Sequence, residues 1–190
     1  MKNSEQNTKL RKKDASFAVI AMSVAFITVC SFISVPTPIS LPFTLQTLAV
    51  FLCSALFGTR RAISAIAIYI AMGLLGLPVF SMFKSGISVI LEPSGAYLLG
   101  FILSAIIIGT GVRVFGEKKF VFFFSMLLSQ TVSYLLVIIW SVFVFDELSG
   151  AYVGFVFYVL PFVIPDILKA ILAAYLASKL KKRTDSFLNV

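Results

Sequence analysis

Four long stretches of this chain carry no Asp, Glu, Lys or Arg: Ala15 to Thr59, Ala62 to Phe83, Pro93 to Val112 and Phe120 to Phe145. A helical bilayer crossing takes about 20 apolar residues, because backbone in lipid must satisfy its hydrogen bonds within the segment. The first stretch runs for 45 residues, enough for two crossings and a turn. Charged residues make up 13% of the chain, about half the quarter usual for a soluble domain. The chain is therefore read as an all-α integral membrane protein.

Lys9 to Lys13 and the apolar run after them resemble the start of a secretory signal. A signal's apolar region ends after about 7–15 residues. This one continues into another membrane segment, so a retained first helix is expected. Breakers then divide the chain. The run SVPTPISLP (34–42) has three prolines, which lack the amide donor and clash with the preceding turn. FGTRR (57–61) reads as a short basic turn, and residues 76–95 are too interrupted by Gly and Pro to span. Six helices follow, over about 15–35, 44–58, 62–77, 94–113, 120–145 and 152–178. The second and third are short and would fit best if screened by neighbours or locally tilted. The expected organisation is a basic tail (1–14), one membrane domain (15–180) and a second tail (181–190).

With six spans, one side of the membrane receives residues 2–13, 60–61, 113–119 and 179–183, which hold 14 of the 16 Lys and Arg. Cytoplasmic loops carry the excess of Lys and Arg, so both termini are expected in the cytoplasm of a multi-pass cell-membrane protein. The net charge of +8 is then an orientation signal facing anionic lipid, and a nucleic-acid partner is not expected. There is no His, no phosphate-binding glycine loop, and no metal-like spacing for Cys30 and Cys53, which read as inert core residues.

Between Glu147 and Lys179 the only charged residues are Asp166 and Lys169. Counted from a helix end near Lys179, Asp166 lies roughly 20 Å up the helix, in the outer half of the hydrocarbon layer. The i,i+3 spacing puts both on one face. Ionisable groups at such depth normally face a cavity or one another, so a ligand pocket and a pair that merely steadies the bundle both remain open. Pro165 is expected to mark a helix start or kink. The loop 81–97 holds Lys84 and Glu92 and reads as a lid packed over the bundle. Tyr97 either stacks on a ligand or anchors at the interface. Gln46 offers donors and an acceptor within an apolar helix. Ala21 and Ala25, four apart, would let another helix approach closely.

SVPTPISLPFTLQTLAVFL, GLPVF, EPSGAYLLGF and IPDILKA, in this order and spacing, resemble the BioY family, the biotin-specific substrate-binding subunits of energy-coupling-factor transporters. The similarity runs from about Phe17 to Lys181. It implies a six-helix S component that captures biotin from outside and works with a transmembrane T component and a pair of cytoplasmic ATPases. On that resemblance Asp166 accepts from the ureido N–H groups, and Lys169 donates to the ureido carbonyl or orients Asp166. Gln46 and Tyr97 add polar and stacking contacts, and Ala21 and Ala25 meet the T component. Biotin is cargo, and neither a resident cofactor nor catalysis is expected. The chain departs from the family in its outer loop, where Glu92 and Ala96 replace glycines. Leu98 stands where some members have an Arg, so that Arg's role does not carry over. Lys84, the sole basic residue on the outer side, is the remaining candidate for the ligand carboxylate. The alternatives are an S component for thiamin or riboflavin, a solitary transporter, and an intramembrane enzyme, for which one buried acid beside a lysine is thin equipment.

Overall fold

The computed structural model describes residues 2–38, 41–145 and 147–188, and the extreme ends of both expected tails (1 and 189–190) lie outside them. The elements in order are α1 (Lys2–Phe32), the two-residue strands β1 (Ser34–Val35) and β2 (Phe43–Thr44), and α2 (Gln46–Leu74). A 3-10 turn (Ser81–Phe83) and the short α3 (Ser88–Leu91) follow, then α4 (Pro93–Phe115), α5 (Lys119–Phe145), α6 (Glu147–Val153), a π segment (Gly154–Val159) and α7 (Leu160–Leu188). Five of the helical stretches are long and apolar enough to cross a bilayer.

The second of these is two rods. Gly58 has φ 77° and ψ 171°, a conformation open essentially to glycine alone. A straight helix would separate Gln46 from Tyr69 by roughly 35 Å. Instead Gln46 Nε2 donates to the Tyr69 hydroxyl at 2.9 Å, so the chain doubles back at Gly58. The arms 46–57 and 59–74 match the expected second and third segments, and the bundle has six rods. Gly109 of α4 crosses the hinge so closely that a Cβ there would meet the Thr59 amide nitrogen at 2.6 Å.

The short first arm is screened as its length requires. Every residue from Gln46 to Leu56 is buried. On one side Ala49, Val50 and Cys53 pack among Val24 and Ile27 of α1, Ile66 of the second arm and Ala105 of α4. On the other, Phe51, Leu52 and Ala55 meet Ile108 of α4, Met126 of α5 and Ala170, Ala173, Ala174 and Ala177 of α7. Those four alanines recur at helical spacing, and their small size lets α7 approach closely.

Pro165 does not begin a helix as expected. It lies inside α7, and the irregularity sits upstream. Pro161 has no amide to offer the Phe157 carbonyl one turn before it, and the preceding residues widen into the π segment, where the Leu160 N–H reaches back five residues to Phe155. The described residues of the proline-rich 34–42 run are non-helical, as its composition requires, and Ser34 and Val35 join a short antiparallel ladder, pairing with Thr44 and Phe43.

One end of the bundle collects the basic turns. Arg60, Arg113, Glu117 and Lys181 line one cleft there, and Arg61 Nε donates to Ser16 Oγ of α1 at 2.9 Å. Lys181 Nζ donates to the Leu56 carbonyl at 3.0 Å, satisfying one of the acceptors that a helix end leaves open.

Candidate functional site

Towards the other end, α7 presents Asp166 and Lys169 to the interior, 4% and 12% exposed. Asp166 Oδ1 accepts from Lys169 Nζ at 2.8 Å. Its Oδ2 accepts from Gln130 Nε2 at 2.7 Å and from the Tyr134 hydroxyl at 2.8 Å. Both come from α5, one turn apart, and so share a face. Three donors therefore surround a carboxylate that would be very costly to bury alone, and three of its roughly four lone-pair sites are filled. Lys169 uses one ammonium donor on Asp166, and an ammonium has three.

Around this pair lies a partly open pocket. Gln46 and Thr47 enter from α2, Tyr69 from its second arm, Tyr97, Leu98 and Phe101 from α4, and Phe162 from α7. Gln46 sits at the start of the buried arm, where Thr44 Oγ1 accepts its backbone amide at 3.3 Å. Its side-chain NH₂ is held by Tyr69, whose hydroxyl donates in turn to the Val79 carbonyl at 3.0 Å. Ser31 Oγ donates to the same carbonyl at 2.6 Å, and Phe80 is buried beside it. The start of the loop that follows α2 is thus pinned over the bundle. The Tyr97 hydroxyl donates to the Tyr158 carbonyl at 2.7 Å. With the hydroxyl engaged there, the ring serves as a wall, edge-on to Tyr134 with centroids 6.4 Å apart.

Lys84 stands apart from the four other expected binding residues. It lines an adjoining cleft with about 590 Å³ of empty space that shares Pro42, Ser81, Val89 and Ser94 with the pocket. There its Nζ lies 2.7 Å from Glu92 Oε2, with the two side chains 44% and 33% exposed. Ala21 and Ala25 are exposed beside Met22 and Phe26, while Val19, Ser23, Val24 and Ile27 make the buried face of α1. The small-residue pair therefore faces away from its own bundle. Cys30 and Cys53 are buried and unpaired, and the described residues contain no cluster of metal-ligating side chains.

Sequence reasoning passed over Gln130, Tyr134 and Tyr69. The first two are hydrogen-bonding side chains four apart in the charge-free stretch 120–145, but serines and a threonine surround them and nothing local ties them to Asp166.

The model of the BioY family matches residues 2–186. A probable biotin transporter BioY of Lysinibacillus sphaericus is 45% identical over 94 residues, covering 50% of this chain and 47% of that protein. The biotin transporter BioY of Thermotoga maritima is 44% identical over 50% of this chain and 53% of its own length. The match thus spans about half the length of these two relatives. A probable biotin transporter BioY of Pyrococcus horikoshii is 33% identical over 80% of this chain and 86% of that one. The crystal structure of the S-component for biotin from an ECF-type ABC transporter shares the fold, with a TM-score of 0.79 and 24% identity over 90% of this chain and 92% of that one.

Proposed function

The chain belongs to the BioY family, and from that premise we propose that it is the biotin-binding S component of an energy-coupling-factor uptake transporter. The observation that carries the reading is the buried Asp166–Lys169 pair at the wall of a pocket, with one carboxylate lone-pair site and two ammonium donors still open. A ureido head offers two N–H donors and one carbonyl acceptor. The open lone pair of Asp166 accepts one N–H, and a spare Lys169 donor meets the carbonyl. Gln46 adds a polar contact, and Tyr97, Phe101 and Phe162 enclose the apolar thiophane ring. Lys84 is the nearest cation for the valerate carboxylate. Biotin is cargo, so the site needs no cofactor and no catalytic step.

The basic end of the bundle faces the cytoplasm in this reading, by the excess of Lys and Arg there, which leaves the pocket towards the outside. The T component and a pair of ATPases supply the energy, and the exposed Ala21 and Ala25 form part of the docking face for the T component. An S component for another vitamin is the second reading. Cationic thiamin would meet no unpaired acid in the pocket, since Asp166 is already paired.

Titration calorimetry on the purified full chain tests the function, with thiamin and riboflavin as controls. Tight biotin binding without turnover is expected, and preference for either control would overturn the ligand. Ala21→Trp with Ala25→Trp should leave biotin binding unchanged while abolishing co-purification with the T component; retained co-purification would remove the alanines from the interface.

A further inference from the structure

Among the described residues, the pocket and its adjoining cleft contain two lysines, and each already has a carboxylate partner. Lys169 is bonded to Asp166 at 2.8 Å and Lys84 to Glu92 at 2.7 Å. The four charges sum to zero. Leu98, buried on the pocket wall, adds none. The cleft continues from the pocket across Pro42, Ser81, Val89 and Ser94, so a tail leaving the pocket emerges beside the Lys84–Glu92 pair.

Resting on the biotin reading, we infer that this chain reads the head of its ligand and not the charge of its tail, so that biotin derivatives with a neutral, amide- or ester-capped tail are bound as a ligand class alongside free biotin. Glu92 is the residue that sets this. A ligand carboxylate approaching Lys84 either shares the ammonium with Glu92, against the repulsion between the two carboxylates, or displaces Glu92, which exchanges one half-exposed ion pair for another. Pairs this exposed contribute little in either form, so the exchange yields almost no preference. The cleft also gives room for an extended tail, whereas a closed wall around a carboxylate would exclude one.

The test uses the purified full chain and three probes: biotin, biotin methyl ester and ε-N-biotinyl-lysine. The two capped ligands are expected to bind within about fivefold of biotin, the scale of an exposed ion pair. Glu92→Gln releases Lys84 and should tighten biotin about fivefold while leaving the methyl ester within about twofold. Glu92 makes no side-chain cap to α4, so this variant keeps its fold. A loss beyond about thirtyfold for the methyl ester in the unmodified chain would overturn the inference while upholding biotin as the ligand. An equal shift of biotin and ester in Glu92→Gln would also overturn it. Failure of all three probes to bind would overturn the biotin reading and this inference together.

Discussion

Two lysine–carboxylate pairs stand at the two ends of the candidate site, nearly equal in length and opposite in setting. Asp166–Lys169 is 2.8 Å long and almost wholly buried, and two further donors from α5 also bond the carboxylate. Lys84–Glu92 is 2.7 Å long and half open to solvent. Distance therefore says little about what a charge pair is worth. Removing one partner of a buried pair leaves an uncompensated charge and costs about 3–5 kcal/mol, whereas exposed pairs contribute about 0–1 kcal/mol. The buried pair can fix a ligand's identity, and the exposed one can only adjust its affinity.

The comparison is broken most directly at Asp166. Asp166→Asn keeps the shape but turns an NH₂ towards donors that need an acceptor. Biotin affinity should fall at least about 100-fold, equivalent to roughly 2.7 kcal/mol, while size-exclusion elution stays monodisperse. Unchanged affinity would mean the pair merely steadies the bundle. Tyr134→Phe removes one of the three donors and leaves Gln130 and Lys169 in place. Hydrogen bonds between membrane helices are worth about 0.6–1.7 kcal/mol, so about three- to eighteenfold weaker biotin binding is expected by calorimetry. A loss as large as that of Asp166→Asn would make Tyr134 a ligand contact in its own right. At the mouth the effect should be smallest. Lys84→Met should weaken biotin by less than about fivefold and leave the methyl ester unchanged. A tenfold or greater loss confined to biotin would show that the exposed lysine governs the tail after all.

The distribution of charge along the chain made the rods legible. Charge-free runs and their breakers located all six, including the two arms that meet at Gly58, although α1 already begins at Lys2 and α7 runs on to Leu188, beyond the expected ends. They did so because lipid penalises charge and proline at every position of a span, which makes a local signal strong. Asp166 and Lys169 were legible for the same reason. Their donors were not, because Gln130 and Tyr134 lie more than 30 residues away and reach Asp166 only through the packing of α5 on α7. The partnering of Lys84 by Glu92 crosses a loop whose path local pattern does not fix. Pro165 misled in a different way: the helix tolerates it, and the widened turn sits ahead of Pro161 instead.

The buried arm that ends at Gly58 also bears on how the chain is made. At 12 residues, roughly 18 Å, it is too short to cross an average bilayer of about 30 Å by itself. It also carries Gln46, Thr47 and Ser54, polar side chains ill suited to lipid. Of the helices that cover it, α1 precedes it, while α4, α5 and α7 are all synthesised after it. The ribosome thus releases the centre of the bundle before most of its walls, and the arm gains its full cover only when the alanine stripe of α7 arrives. Losing the C-terminal helix would therefore expose the middle of the protein to the bilayer instead of trimming its edge.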